Sequence, residues 1–253
     1  GAEHASSSLL VFLDADMEVH PEWGKSVLEV ARDLYRRCAL RFVLGGSADP
    51  APSASWVAQC WAHAALPSGR ATHVGSGHMI IPREAFSILR GFKEQLATSE
   101  DYDLCVRAKA NGVLVWSAPA VIAIHHGEAD SVRDFFRRHL WHGSTPRRSD
   151  GTFVRVSGLS LIFGAGHLFM LIGFIVILAG QSQAGWMAVV LGITMSGMLV
   201  LAQSLRNVPI PSLSLVLLLQ RTLLSYLYWW AKLTGVMASL AGSWHSRRPR
   251  SEV

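Results

Sequence analysis

Charge is the first thing this chain is short of. Lys, Arg, Asp and Glu make up 16% of its 253 residues, against roughly 25% in soluble globular proteins, and the mean hydropathy is +0.29. A composition this poor in charge excludes an intrinsically disordered chain. Cysteine is scarce as well. Cys38, Cys60 and Cys105 are an odd number with no C-x-x-C pair, which excludes a disulfide scaffold or a zinc ribbon and fits buried thiols in a reducing compartment. No Met stands at position 1, and no apolar leader precedes the first folded segment.

The remaining charge is unevenly spread. Residues 1–155 hold 17 basic and 17 acidic side chains, whereas residues 156–253 hold 6 and 1, so the net +5 and the pI of about 9.4 belong to the C-terminal part. A nucleic-acid binder carries its basic residues on the domain that makes the contacts, and that class is excluded.

Between Arg155 and Arg206 lie 50 residues without one Asp, Glu, Lys or Arg. Within them, residues 159–179 and 185–205 are each long enough to cross a ~30 Å hydrocarbon core as a helix. The polar stretch Gly-Gln-Ser-Gln-Ala at 180–184 separates them. A third apolar stretch, about 213–241, carries Arg221 and Lys232 among Tyr226, Tyr228, Trp229 and Trp230. Either it spans, or it lies along the interface with its cations snorkelling, which the aromatics favour slightly. Arg133, Arg137, Arg138, Arg147, Arg148 and Arg155 crowd the approach to the first span, so the positive-inside rule puts residues 1–155 in the cytoplasm. A spanning third segment would then carry Arg247, Arg248 and Arg250 outside, against that rule, and the two readings of the segment stay open.

The chain before the spans alternates strand and helix patterns. Leu9–Leu13 is a continuous apolar run, the mark of a central strand buried on both faces. Trp23, Val27, Val30 and Leu34 recur at helical spacing after Pro21. Residues 40–44 read as a strand ended by Gly45-Gly46, and 55–66 as a helix. His78–Ile81 is a short strand, and Pro82 opens a helix over 83–89 that Gly91 stops. Ser99 stands as the N-cap of a helix closed by Gly112. Val113–Ser117 and Val121–His125 are two further strands, and 132–141 is an amphipathic helix. This alternation predicts an α/β fold on a mainly parallel sheet, with an α/β domain over 1–150 and a membrane region over 151–253.

Open α/β sheets bind ligands beyond the carboxyl ends of their strands, and those ends are polar here. Leu9–Leu13 runs into Asp14-Ala15-Asp16, two carboxylates able to converge on a hard cation such as Mg²⁺ or Mn²⁺ together with substrate phosphates. Gly75-Ser76-Gly77 precedes a strand and offers backbone N–H groups to a closely approaching ligand. Glu100 and Asp101 occupy a first helical turn, where the helix dipole keeps a carboxylate ionised and able to act as a general base. His125-His126 closes a strand. Imidazole suits Mn²⁺ or a diphosphate, and since neighbours on a strand face opposite ways, one of the two at most reaches the site. Arg137 and Arg138 could meet phosphate, or lipid headgroups equally well.

In this order — Phe12-Leu13-Asp14-Ala15-Asp16, Gly75-Ser76-Gly77, Ile81-Pro82-Arg83-Glu84-Ala85-Phe86, Gly91-Phe92-Lys93-Glu94, Ser99-Glu100-Asp101-Tyr102-Asp103-Leu104 with Arg107 and Gly112, then His125-His126 — residues 1–145 resemble the family-2 glycosyltransferases of GT-A fold. With C-terminal membrane segments, the chain resembles the bacterial inner-membrane enzymes of exopolysaccharide and glycolipid assembly. The resemblance implies a divalent metal (Mn²⁺ or Mg²⁺), a nucleotide-diphospho-sugar donor and a lipid-linked or membrane-presented acceptor. It implies Asp14, Asp16, Gly75, Gly77 and Arg138 at the donor, and Asp16 with His125 or His126 at the metal. Asp101 would then be the base and Glu100 its support, in an inverting single displacement. Two departures accompany it. Only eight residues precede the D-x-D strand, where the family has a nucleobase-binding strand, so an N-terminal part is expected to be missing. Arg137–Trp141 reads R-x-x-L-W rather than the Q-x-x-R-W of processive synthases, which favours addition of a single sugar. The alternatives are a polyprenyl-phosphate sugar synthase and a non-catalytic scaffold that keeps the fold.

Overall fold

The computed structural model describes residues 1–38, 41–62, 67–96, 99–144, 155–206 and 214–241. These form two compact units: Gly1–Ala54 with Ala62–Glu128, and Ser55–Trp61 with Ala129–Val253.

The first unit is built on a six-stranded sheet. Its strands are β1 (Leu9–Leu13), β2 (Met17–Val19), β3 (Phe42–Pro50), β4 (Gly69–Arg70), β5 (His78–Pro82) and β6 (Leu114–His125). They run in the order β1-β5-β3-β6-β2, with β4 also on β6. The sheet is mixed, which corrects the expectation of a mainly parallel one. Among the described residues only β3 and β6 pair parallel; β1–β5, β3–β5, β2–β6 and β4–β6 are antiparallel. Because β5 is the reversed strand between β1 and β3, strands β1, β3 and β6 still point the same way. Their carboxyl ends and the amino end of β5 therefore share one edge of the sheet.

Both faces are covered. The helix α1 (Trp23–Cys38) lays Val27, Ala31 and Leu34 against Phe42, Leu44, Ile80, Ala118 and Val121. The helices α3 (Arg83–Ile88) and α4 (Glu100–Ala110) cover the opposite face, where Ala85, Leu104, Cys105 and Ala108 meet Val43, Met79, Ile81 and Val115. Successive residues of β3 and β5 alternate between these two clusters, as the period of two requires.

Several elements depart from their patterns for physical reasons. β1 is an edge strand, with Val11 and Leu13 each 40% exposed, although its apolar run predicts burial on both faces. β3 does not stop at Gly45-Gly46 but runs through it. A Cβ on Gly45 would collide with the Val74 side chain, and one on Gly46 with the His78 ring and the Val121 carbonyl, so these glycines admit neighbours rather than end the strand. The two strands expected over 113–125 are one, β6, whose pairing with β3 jumps from Gly46↔Ala118 to Ser47↔Ile122. Ser99 does stand at the N-cap of α4, but in the left-handed region (φ 67°) and without a side-chain cap bond to the helix.

The second unit is helical: α2 (Trp56–Trp61), α5 (Val132–Gly143), α6 (Arg155–Leu178), α7 (Ser182–Ser204) and α8 (Leu215–Leu240). Of the helix expected over 55–66, the structure shows α2, capped by the Ser55 hydroxyl, which accepts from Ala58 N–H at 3.2 Å. Residues 63–66 lie outside the described residues. The helices α2 and α5 group with the apolar helices rather than with the sheet. Two helical stretches, Gly158–Leu178 and Ser182–Ser204, are long and apolar enough to cross a membrane. They pack through glycine: a Cβ on Gly173 would stand 2.6 Å from the Gly185 carbonyl, and one on Gly166 2.9 Å from that of Gly192. Such close backbone approach is how apolar helices associate.

The third apolar stretch is the helix α8. Its Arg221 does not snorkel. The residue is 4% exposed, and its guanidinium donates to the carbonyls of Ser204 (2.7 Å), Arg206 (2.9 Å) and Cys60 (2.7 Å). The last carbonyls of α7 and α2, which have no partners inside their own helices, thereby find a cation.

Candidate functional site

The edge of the sheet where β1 ends and β5 begins gathers most of the acidic residues singled out above. Asp14 follows β1 directly. Its N–H donates to the Gly77 carbonyl (3.1 Å), and its own carbonyl accepts from Met17 N–H (3.1 Å), closing the turn that leads into β2. Its carboxylate lies against Gly77, where a Cβ would stand 2.5 Å from Oδ2. A glycine at 77 is therefore what lets β5 start beside this carboxylate.

On the other side of the same loop stand Glu100 and Asp101, in the first turn of α4. Ser76 joins them: its hydroxyl donates to Glu100 Oε1 (2.8 Å) and its backbone N–H to Asp101 Oδ2 (3.3 Å). The loop amide expected for a ligand is thus engaged by Asp101. Tyr102 N–H donates to Asp101 Oδ1 at 2.6 Å, and His73 Nε2 lies 3.2 Å from Oδ2. Burial pushes the Asp101 carboxyl upward. The hydrogen bond and charge of His73 and the two backbone N–H donors outweigh that and hold it below the ordinary carboxylate value. This is a carboxylate kept ionised by the donors around it.

Two residues beyond Asp14, Asp16 faces the end of β6. Its carbonyl accepts from His126 N–H (2.9 Å), and its Oδ2 lies 3.4 Å from His125 Nε2. The Asp16 carboxylate occupies the space a side chain on Gly127 would need. The other ring nitrogen of His125, Nδ1, is 2.7 Å from Glu128 Oε1, an orientation in which a carboxylate fixes which imidazole nitrogen faces Asp16.

His125 therefore accompanies Asp16, while His126 turns to the surface and pairs with Glu18 at 2.7 Å. Arg138 lies on α5 in the other unit, one helical turn from Asp134, with which it pairs at 3.1 Å. Asp14, Gly75, Gly77, Glu100 and Asp101 gather around the 75–77 loop, and Asp16 with His125 follows on the same turn. Among the described residues no group of three or more His, Cys, Asp or Glu side chains is arranged to hold a metal ion. Asp16 and His125 are a two-residue set.

His73 and Glu128 escaped sequence reading. Neither belongs to a spaced motif: His73 stands two residues before Gly75 in a loop, and Glu128 reads as one more turn acid. Only the fold brings each to its partner. The neighbouring Asp103 has a different task. With Lys93 (3.0 Å) and Arg107 (2.7 Å) the buried Asp103 forms a half-buried ionic cluster, and Arg107 also donates to the Gly91 carbonyl at 2.9 Å. This cluster fixes α4 to the turn that ends α3.

No family model matches the chain, and no match is found among curated proteins.

Proposed function

We propose that this chain is the membrane-associated part of an inverting glycosyltransferase of family-2, GT-A type. It would transfer a sugar from a nucleotide-diphospho-sugar to a hydroxyl of a lipid-linked or membrane-presented acceptor, at the cytoplasmic face of a bacterial inner membrane. The observation that carries this reading is the meeting of Asp14, Asp101 and Glu100 around one glycine-bounded loop, with the Asp16–His125 pair on the same turn, at the edge where β1, β3 and β6 end. An ionised carboxylate is what a hydroxyl nucleophile needs for removal of its proton. A second, separate carboxylate suits the charge of a departing diphosphate once a cation is shared with it.

The donor set fits a divalent metal of the Mn²⁺ or Mg²⁺ kind. Such ions take oxygen and imidazole donors and are commonly held by one or two protein side chains plus substrate phosphates, so Asp16 and His125 would hold it beside the diphosphate. When bound, the ion neutralises charge developing on the leaving group. Asp14, seated on Gly77, orients the donor next to that pair. Asp101, held by His73, Ser76 and Tyr102, takes the proton of the acceptor hydroxyl, and Glu100 with Ser76 keeps the loop against α4. Two helices able to cross a bilayer and the arginines before them support presentation of a membrane-bound acceptor.

The test is transfer by the full-length protein in native membranes, with labelled nucleotide-sugars and both hydroxyl and polyprenyl-phosphate acceptors. Metal-dependent transfer to a hydroxyl, reduced about 10²–10⁴-fold by Asp101→Asn and abolished by Asp16→Ala, is expected. Transfer to the phosphate acceptor alone would point to the sugar-phosphate synthase, and wild-type turnover by either variant removes that residue from its role.

A further inference from the structure

Asp101 is surrounded more completely than a base needs to be. An ionised carboxylate has about four acceptor positions, two on each oxygen. Oδ2 faces His73 Nε2 at 3.2 Å and the Ser76 N–H at 3.3 Å, and Oδ1 accepts the Tyr102 N–H at 2.6 Å. Among the described residues three positions are filled, two on Oδ2 and one on Oδ1. The two backbone donors come with the fold of α4 and the 75–77 loop, whereas His73 is the only side chain among the three. Its ring lies beside the Tyr102 ring, with centroids 5.8 Å apart, and its side chain is 39% exposed against 21% for Asp101.

We propose that His73 is the positioning residue of this centre: with the Ser76 N–H it occupies both acceptor positions of Asp101 Oδ2, so that a hydroxyl entering the site meets Oδ1. The inference rests on the transferase reading for its kinetic consequence but not for the geometry. In the transfer step the hydroxyl proton moves to Asp101 Oδ1 and the hydroxyl oxygen bonds to the anomeric carbon. The nucleoside diphosphate leaves with the electron pair of the broken bond, and the proton later passes to solvent. His73 gains and loses nothing. By donating to Oδ2 it stops the carboxylate rotating and holds it ionised. On the same helix Glu100 accepts from the Ser76 hydroxyl, Asp103 pairs with Lys93 and Arg107, and Lys109 donates to the Thr72 carbonyl next to His73. Among the described residues His73 is the titratable side chain in contact with the Asp101 carboxylate.

The variants His73→Ala and His73→Gln separate this from a structural role, because a glutamine amide can still donate to Oδ2. In full-length protein in detergent, with aspartate labelled by ¹³C at the carboxyl and Asp101 assigned through Asp101→Asn, the Asp101 titration should move upward in His73→Ala and return toward wild type in His73→Gln. In the transfer assay, His73→Ala should lower kcat about tenfold with KM for the donor unchanged, and His73→Gln should recover most of it. An unchanged Asp101 titration in His73→Ala overturns the proposal, as does His73→Gln being as impaired as His73→Ala. If wild-type protein transfers no sugar to any acceptor, the transferase reading falls, and the carboxyl titration still decides the part played by His73.

Discussion

The carboxylate of Asp14 and the α-carbon of Gly77 are held so close that a methyl group on residue 77 would stand 2.5 Å from Oδ2. The contact is not incidental, because Asp14 N–H donates to the Gly77 carbonyl (3.1 Å) and ties the end of β1 to the start of β5. Gly77→Ala must therefore displace either the carboxylate or the strand. Overpacking of this kind costs about 1–3 kcal/mol. A lower melting temperature and, if the proposed nucleotide-sugar donor is bound here, weaker binding of it are expected together. A Gly77→Ala protein with wild-type melting and donor affinity would show that Asp14 moves away freely and has no fixed task there.

His78 offers a test through pH. It is 4% exposed, accepts from Trp23 Nε1 at 2.8 Å and meets the Ser47 carbonyl through Nδ1 at 2.8 Å. One nitrogen accepts and the other donates, which only the neutral ring can do. Burial lowers its pKa from 6.5, partly offset by the Ser47 carbonyl. With the folded value below the unfolded one, the unfolded chain binds the proton first. The contribution of His78 is present above pH 6.5 and is lost as pH falls below it toward the folded value. Unfolding midpoints followed from pH 7.5 to 5 should drop more in wild type than in His78→Gln. Parallel curves would mean that the ring is not the proton-linked group. Trp23→Phe, which removes the donor to Nε2, should cost about 1–3 kcal/mol.

Both residues show what local patterns can and cannot reveal. The turn Asp14-Ala15-Asp16, the glycines of 75–77 and the acids of α4 were legible because each is a short motif at the boundary of a strand or helix pattern. Most helix and longer strand positions were legible from those patterns themselves, but the short strands β2 and β4 carry no apolar run and were not expected. Strand direction was not legible either. β5 has the same apolar look whether it runs with or against β1, and its reversal makes the sheet mixed while leaving the carboxyl ends of β1, β3 and β6 together. Gly45-Gly46 reads as a strand end because glycine is a breaker on average, while here it makes room for Val74 and His78. His73 was invisible because a lone histidine in a loop carries no period, and its partner lies 28 positions further along the chain.

Arg221 gives a prediction within the helical unit. One buried guanidinium serves the carbonyls of Cys60, Ser204 and Arg206. Replacing it with methionine keeps most of the apolar stem and strands those acceptors, and a buried unsatisfied carbonyl costs about 1–3 kcal/mol. Arg221→Met should lower thermal stability in detergent markedly. Arg221→Lys should rescue it only in part, since an ammonium has the charge but lacks the planar fork. Full rescue by lysine would reduce the role of Arg221 to charge alone.

The α6–α7 pair supplies the last prediction. Gly173 lies where a Cβ would come within 2.6 Å of the Gly185 carbonyl and 2.8 Å of the Val189 backbone nitrogen, so the obstacle is backbone and cannot step aside as a flexible side chain would. At Gly164, earlier on α6, the nearest obstacle is the Leu233 side chain, with a Cβ 2.9 Å from Cδ2, and leucine termini can rotate. Gly173→Ala should therefore separate the two helices and lower the melting temperature, while Gly164→Ala, with the same change in helix propensity, should be tolerated far better. Measured in the same detergent, the two melting curves cancel effects of composition and report the backbone contact. If both variants melt alike, the close approach at Gly173 does not hold the helix pair together, and its apolar side chains do.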